Sequence, residues 1–140
     1  ESLKPLSQVA SGGELSRIML AIKTVLAGRD EIDTLIFDEI DTGISGRTAW
    51  KVAEQLSVLS GAHQVICITH LPQIAAMADV HFVIEKSSTD DMTITDIHKV
   101  SEEESLAELA RLLGSDALTE AALSNAKEMK EQAGMFKETR

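Results

Sequence analysis

Two short apolar runs in this sequence each end abruptly in polar residues, which restricts the folds that the chain can adopt. Residues 35–37 are followed at once by Asp38 and Glu39, and residues 64–69 lead directly into His70. A helical pattern separates the two runs, and this alternation implies right-handed crossovers in a parallel sheet. Short, unbroken apolar runs are also typical of parallel strands that are buried on both faces. The sequence therefore predicts an α/β fold with a mostly parallel sheet.

Apolar spacing and capping signals predict the helices. Ser11 with Glu14 and Ser101 with Glu104 form capping boxes, and Pro72 suits a first helical position. The first helix is predicted to begin after Ser11 and to stop at Gly28. The other predicted helices span residues 47–59, 72–78, 101–113 and about 116–133. The first helix carries apolar residues at helical spacing, namely Leu15, Ile18, Met19, Ile22, Val25 and Leu26. The second helix is expected to bury Ala49, Val52, Ala53, Leu56 and Leu59.

The C-terminal half departs from strand–helix alternation. Residues 81–86 and 92–100 are β-rich and are joined by a polar turn at residues 87–91, which predicts an antiparallel hairpin at one edge of the sheet. Two helices close the chain. The first has an apolar face made of Leu106, Leu109, Ala110 and Leu113. The last is weakly apolar (Leu118, Ala121, Ala122 and Met129), so it is expected to lie on the surface.

Composition restricts the partners of the chain. Its 140 residues, 44% of them hydrophobic, suffice for one domain with its own core. The net charge of −10 repels nucleic acid and anionic membranes on average, and no basic patch offsets it. The sequence has no signal peptide and no apolar stretch near the length of a membrane span. Cys67 is the single cysteine, so no internal disulfide forms, and its apolar surroundings predict a buried structural thiol in a reducing cytosol.

Asp38, Glu39 and His70 are expected to converge, because the carboxyl ends of parallel strands meet at one edge of a sheet. An aspartate at such a strand end can hold the Mg²⁺ of a nucleotide, directly or through water. The carboxylate that follows can orient and deprotonate an attacking water. A histidine on the neighbouring strand can hydrogen-bond the terminal phosphate. The pattern therefore predicts Asp38 as a metal ligand and Glu39 and His70 as catalytic residues.

The tetrad Ser11-Gly12-Gly13-Glu14 is a second element that can hold a phosphate. It supplies a hydroxyl and free backbone amides at a helix N-terminus, where the helix dipole favours an anion. Glycine lets the phosphate approach the backbone closely. The sequence contains no Gly-x-x-x-x-Gly-Lys-Ser/Thr phosphate loop. The motifs therefore amount to half of an ATP-hydrolysing site.

Each of these signals also has a purely structural interpretation. The tetrad can be only a helix cap, and the pair Asp38-Glu39 an ordinary polar transition from strand to loop. His70 can be a structural histidine, and Asp41 can cap the turn that follows it. Trp50, the single tryptophan, is expected to pack on its helix rather than stack on a nucleotide. The order of the motifs, taken together, favours the functional interpretation.

The ordered motifs resemble the C-terminal half of an ATP-binding-cassette (ABC) ATPase. In this comparison the tetrad at 11–14 is the signature motif, residues 35–39 are the Walker B strand, residues 41–45 are the D-loop and His70 is the switch histidine. Three sequence stretches resemble the RecN family of SMC-like ATPases. They are VASGGELSR (9–17), IFDEIDTGISG (36–46) and THLPQ (69–73). Residues 109–114 and 125–128 also resemble the tail of that family, so the resemblance covers nearly the whole chain.

The resemblance implies that residues 1–140 form the C-terminal half of an ATPase head. In the RecN family an N-terminal segment carries the phosphate loop (Walker A), and a long antiparallel coiled coil separates it from the C-terminal segment. The chain, which begins in mid-motif without a methionine, is expected to be an excised fragment. The implied cofactors are ATP and Mg²⁺. The implied location is bacterial, cytoplasmic and associated with the nucleoid.

The resemblance also implies how the site residues work. Two heads would sandwich two ATP molecules, with residues 11–14 contacting ATP in trans while Asp38, Glu39 and His70 act in cis. Asp41 and Ser45 would belong to the D-loop at this interface. The implied partners are the Walker A segment, a second head, and DNA bound through the assembled protein during double-strand-break repair, with no membrane.

Two other functions remain open from the sequence. A stand-alone, non-catalytic interaction module would explain the missing phosphate loop, and the apolar sheet face that meets the N-terminal segment would then be exposed. A transporter-type ABC lobe would need a membrane partner. Transporters usually have aspartate at the place of Ser45, often threonine at Asp41 and glutamine at Glu14. These differences favour a RecN-like head over a transporter-type lobe, but they leave the role of the D-loop residues open.

Overall fold

The structure is a computed structural model that describes residues 5, 9–26, 29, 31–89, 92–114 and 118–139. The helices and strands, in chain order, are α1 (Gly12–Leu26), β1 (Thr34–Phe37), α2 (Gly46–Leu59), β2 (Gln64–Cys67), α3 (Pro72–Ala76), β3 (Phe82–Thr89), β4 (Met92–Lys99), α4 (Glu102–Leu112) and α5 (Glu120–Glu138). Gly28 and residues 90, 91 and 116, which the predictions above use, lie outside the described residues. No helix among the described residues is both long and apolar enough to cross a membrane.

The strands β1 and β2 pair in parallel, as predicted, with Thr34 opposite Gln64 and Phe37 opposite Cys67. Only one face of this pair is covered. Leu35 and Phe37 are buried, whereas Ile36 between them is 68% exposed. The prediction of strands buried on both faces is therefore wrong for the described structure, because successive side chains of a strand point to opposite faces and packing covers one of them.

The main core lies between this sheet and α2. The five residues predicted to be buried on α2 are all buried, and four of them share one cluster with Leu35, Phe37 and Ile40. Residues of α1, α3 and α5 and the C-cap residue of α3 complete the cluster, namely Leu20, Ile74, Ala133 and Met77. Trp50 packs against this cluster and against a second one formed by the C-terminal helices, which confirms its packing role.

Helix α1 begins after Ser11 as predicted, but its apolar face is largely uncovered by the described residues. Leu20 is buried, whereas the apolar residues that predicted the helix are exposed, namely Leu15, Ile18, Met19, Ile22, Val25 and Leu26. The helix contacts α2. Helical spacing identified a face that needs cover, and the described residues do not supply that cover.

The hairpin β3–β4 forms a separate two-stranded sheet, so the prediction that it extends the edge of the parallel sheet is wrong. Its strands are antiparallel as predicted, with Phe82 opposite Lys99 and Thr89 opposite Met92. Strand β3 runs three residues further towards the turn than predicted, whereas β4 begins at Met92 as predicted. Cross-strand pairs such as Ile84 with Ile97 hold the hairpin together.

The C-terminal helices pack on each other and on α3. Helix α4 begins with the predicted capping box: Ser101 Oγ accepts from Glu104 N, and the Glu104 carboxylate accepts from Ser101 N. Helix α5 begins later than predicted, after Thr119, whose hydroxyl accepts from the backbone of Ala122. It is not only a surface helix, since it buries Ala122, Ala126, Met129 and Ala133. Three of these four residues are alanines, which is why the apolar signal of α5 was weak.

Candidate functional site

The carboxyl ends of β1 and β2 lie side by side, and the predicted site residues leave from them. A hydrogen bond from Ile68 N to Phe37 O (3.0 Å) extends the pairing one residue past β2. Asp38 and Glu39 follow β1 on one side of this contact, and His70 follows β2 on the other. All three side chains are exposed. The structure therefore brings these residues to one edge of the sheet.

Asp41 links the two strand ends. The whole residue is only 3% exposed. Asp41 Oδ2 accepts hydrogen bonds from Thr69 Oγ1 (2.6 Å) and His70 N (2.8 Å), and the ring atom Nδ1 of His70 lies 3.0 Å from the same oxygen. The hydroxyl of Thr69 in turn accepts from Leu71 N at 3.0 Å. Asp41 therefore fixes the loop that carries His70 through contacts within the chain.

The tetrad reaches the same edge. A Cβ atom placed on Gly12 would lie 2.5 Å from Glu39 Oε2, and one placed on Gly13 would lie 2.8 Å from the backbone oxygen of Glu39. At Gly13 a side chain would clash with backbone, whereas at Gly12 it would meet the flexible end of Glu39. Glu39 itself has a φ of 56°, which is uncommon for a residue with a side chain. The start of α1 and the acidic pair are thus neighbours within one chain.

The tetrad also forms the predicted capping box. The Glu14 carboxylate accepts from Ser11 N and Ser11 Oγ, both at 2.8 Å, and Ser11 Oγ accepts from Glu14 N at 3.3 Å. The hydrogen bond from the Ser11 backbone, followed by that from its side chain, lowers the pKa of Glu14. The helix-cap interpretation is therefore confirmed. It does not remove Ser11 from a candidate phosphate site, because its side chain remains exposed.

The fit of the tetrad to a phosphate depends on Glu39. The exposed hydroxyl of Ser11, the missing side chain of Gly12 and the helix N-terminus suit an anion. The carboxylates of Glu39 and Glu14 already lie there, however, and like charges oppose one another. A phosphate at this helix end would therefore require the Glu39 side chain to turn away from Gly12.

Asp38 fits the role of a single metal ligand. Its Oδ1 accepts from Glu39 N at 2.9 Å, and its side chain is exposed. Within the described ranges no group of three or more histidine, cysteine or acidic side chains is arranged to hold a metal ion. Mg²⁺ is commonly bound through one or two carboxylates together with phosphate oxygens and water. One exposed aspartate meets that requirement.

Two further residues attach α1 to the loop after β1, and sequence reasoning missed both. Ser16 Oγ donates to Asp38 O at 2.9 Å. Arg17 Nη1 donates to Ile40 O (3.0 Å) and Thr42 O (2.9 Å). These partners are backbone carbonyls, which leave no sequence signal. The position of both residues within one turn of Gly13 is the only hint that the sequence offered.

The remaining predicted residues have plain structural surroundings. Ser45 is the exposed N-cap residue of α2, and its side chain makes no capping hydrogen bond. Cys67 is a free thiol, and burial, followed by the charge of Asp41, raises its pKa to about 12. A thiol with so high a pKa is unreactive near neutral pH. The structure gives Cys67 as half-buried, so the predicted burial is met only in part.

The chain is similar in sequence to proteins of known name. It is 48% identical over 139 residues to DNA repair protein RecN of Bacillus subtilis, covering 99% of the chain and 24% of that protein. It is 51% identical over 129 residues to RecN of Treponema pallidum, which is 92% of the chain and 22% of that protein. The chain is similar to the C-terminal segment of RecN. RecN of Haemophilus influenzae is also 50% identical over 126 residues.

The similarity to RecN confirms the resemblance that the motifs indicated. The chain spans about a quarter of the length of the RecN proteins that it matches. No protein-family model matches the chain. The RecN proteins are bacterial and are named for DNA repair.

Proposed function

We propose that the chain is the C-terminal part of a RecN-type ATPase head, which hydrolyses ATP when a Walker A segment completes it and a second head closes on it. The observation that carries the proposal is the meeting of Asp38, Glu39 and His70 at one sheet edge, in a chain similar to RecN throughout. ATP supplies the bond that is cleaved, and Mg²⁺ neutralises charge on its phosphates.

The residues divide the work according to their positions. Asp38 holds Mg²⁺ through its exposed carboxylate. Glu39 orients the attacking water and accepts its proton, for which its side chain must leave Gly12. His70 binds the terminal phosphate through its exposed ring. Ser11, Gly12 and Gly13 contact ATP held by the second head. The Glu39 side chain lies against Gly12, so it must move away before this contact can form.

The uncovered apolar surfaces support a partner segment. The exposed face of α1 and the exposed face of the β1–β2 pair are both apolar, and such surfaces mark interaction sites. The Walker A segment of the head is the partner that we assign to them. The net charge of −10 favours DNA binding through other parts of the assembled, cytoplasmic protein. Repair of DNA double-strand breaks is the process that we assign to that protein.

The test is ATP hydrolysis by the chain alone and by the chain mixed with a Walker A-bearing N-terminal segment. We expect activity only in the mixture. Glu39→Gln should retain ATP binding, lose hydrolysis and accumulate closed dimers, because the amide cannot accept the proton of the water. The matched control is Glu54→Gln, which should leave hydrolysis unchanged because Glu54 pairs with Lys51 on its own helix, α2. Normal ATP turnover by Glu39→Gln would contradict the assignment of Glu39 as the general base.

A second function, a non-catalytic interaction module, is favoured by one observation, the uncovered apolar face of α1. Such a module would associate without nucleotide. Association of the two segments with no hydrolysis under any nucleotide and Mg²⁺ condition would support it. The similarity to RecN favours a RecN-type ATPase head over the lobe of a transporter-type ABC ATPase.

A further inference from the structure

Asp41 faces the loop after β2 rather than the solvent. With 3% of its surface exposed, its carboxylate has almost no area to offer a nucleotide. A buried carboxylate is costly unless hydrogen bonds satisfy it, and Asp41 Oδ2 meets that condition with Thr69 Oγ1 and His70 N. These contacts indicate that Asp41 acts inside the chain, although it lies in the stretch that resembles a D-loop.

The contact between Asp41 and the ring of His70 determines which ring nitrogen is free. Nδ1 of His70 lies 3.0 Å from Asp41 Oδ2. The contact is a close approach of charge and not a hydrogen bond, and the negative charge of Asp41 favours a proton on Nδ1, the nitrogen beside it. The side chain of His70 is 71% exposed. Nε2 is therefore the nitrogen that remains for a ligand outside the chain.

The backbone around His70 is fixed by the same carboxylate. Asp41 accepts from the His70 amide, and it also accepts from the Thr69 hydroxyl, which binds the amide of Leu71. Leu71 is the N-cap residue of α3. One carboxylate thus holds the residue before His70, His70 itself and, through Thr69, the residue after it.

We propose that Asp41 is a positioning residue that fixes the loop of His70, favours the ring proton on Nδ1 through its charge, and leaves Nε2 for the terminal phosphate. This role rests on the proposed ATPase function. In this role Asp41 does not contact the nucleotide. It affects hydrolysis only through the position of His70. Asp41 follows Glu39 by two residues, so the same loop sets the positions of the water-activating residue and the phosphate-binding residue.

The first test reads the proton on the ring without any substitution. Nitrogen-15 NMR of the histidine rings, at a pH where they are neutral, distinguishes Nδ1–H from Nε2–H. We expect Nδ1–H at His70, whereas free histidine side chains favour Nε2–H. His70→Gln assigns the signal among the four histidines of the chain. An Nε2–H tautomer at His70 in the unsubstituted chain would overturn the proposal.

A matched pair of variants tests the dependence on Asp41. Asp41→Asn keeps the shape and removes the charge, so the Nδ1–H fraction at His70 should fall. The control is Asp96→Asn, because Asp96 Oδ2 lies 3.1 Å from Nδ1 of His98 in an exposed pair on β4. The control should alter the signal of His98 and leave that of His70 unchanged. Equal effects of both variants on His70 would contradict a specific role for Asp41.

The kinetic test uses the chain completed by the Walker A segment. Asp41→Asn should lower kcat by roughly tenfold to a hundredfold with little change in KM, as expected for a group that acts in the transition state. The double variant Asp41→Asn/His70→Gln should be no slower than His70→Gln alone, because the two residues act as a unit. Multiplied losses in the double variant would show a structural role and overturn the proposal.

Failure of the proposed function is distinguishable from failure of this inference. An inactive mixture with Nδ1–H at His70, lost in Asp41→Asn, would reject the ATPase function and with it the catalytic role of Asp41. An active mixture in which Asp41→Asn changes neither the tautomer nor kcat would retain the ATPase and reject Asp41 as a positioning residue.

Discussion

Arg17 Nη1 donates a hydrogen bond to the backbone oxygen of Thr42 across 2.9 Å and so joins α1 to the loop after β1. The same nitrogen donates to Ile40 O at 3.0 Å. One side chain therefore holds the helix of the tetrad against the loop that carries Glu39 and Asp41.

Arg17→Ala should destabilise the chain by about 1.5–3 kcal/mol, the range for hydrogen bonds that involve a charged group. The free energy of unfolding in urea gives this value. The matched control is Arg111→Ala on α4. Arg111 makes two hydrogen bonds to Glu108, but its side chain is 66% exposed. Exposed pairs contribute about 0–1 kcal/mol. Equal losses for the two variants would contradict an anchoring role for Arg17.

The two glycines of the tetrad should respond differently to alanine. In Gly13→Ala the new Cβ meets the backbone oxygen of Glu39 at 2.8 Å and Thr42 Cβ at 3.1 Å, and neither can move freely. Overpacking of this kind costs about 1–3 kcal/mol. In Gly12→Ala the Cβ meets only the carboxylate end of Glu39, which can rotate away. Its cost should be small.

Urea unfolding of both glycine variants measures this difference. Gly134→Ala in α5 serves as the control, because nothing lies within 4 Å of its added Cβ. Alanine there should stabilise the chain by about 0.5–1 kcal/mol through helix propensity. A loss in Gly12→Ala as large as that in Gly13→Ala would mean that Glu39 is held rigidly against α1.

Local signals in the sequence predicted the elements of the fold well. The spacing of apolar residues identified α2 and the residues that it buries, and S-x-x-E patterns identified the caps of α1 and α4. The polar residues after β1 and β2 indicated the edge of the sheet at which the candidate site lies. Each of these features depends on residues a few positions apart, so one sequence contains them.

Contacts between distant residues were the part that the sequence did not predict. Asp41 meets Thr69 and His70 only after β1 and β2 pair, and nothing near Asp41 announces its partners. Helix α5 buries mostly alanines, whose weak hydrophobic signal resembles that of a surface helix. The spacing of apolar residues on α1 predicted an apolar face. It did not predict that this face would be exposed, because none of the described residues covers it.

His81 should make the stability of the chain depend on pH. Its Nδ1 lies 2.9 Å from Ser105 Oγ, and Ser105 is buried. Burial, followed by the charge of Lys130, lowers the pKa of His81, while Glu108 and Glu102 act in the opposite direction. The unfolded chain then binds the proton more readily than the folded chain. The unfolding free energy should fall as pH decreases from the ordinary histidine range through the lowered pKa.

Urea unfolding at a series of pH values checks this expectation for His81. His81→Gln removes the titrating group, so the decrease between the two pKa values should shrink. His98→Gln is the control, because His98 lies in an exposed pair with Asp96 on β4. The decrease at lower pH from carboxylates such as Glu14 and Glu104, whose pKa values hydrogen bonds lower, should persist in both variants. An unchanged profile for His81→Gln would contradict the assignment.

The uncovered face of α1 should tolerate charge without loss of stability. Val25 is 82% exposed, whereas Leu20 on the same helix is 3% exposed. Val25→Lys should change the unfolding free energy by about 0.5 kcal/mol or less, while Leu20→Ala should cost about 2–5 kcal/mol. Light scattering of the chain alone should show weaker self-association for Val25→Lys than for the unsubstituted chain. The variant should also bind the Walker A segment more weakly. A large loss of stability in Val25→Lys would mean that the chain itself covers this face.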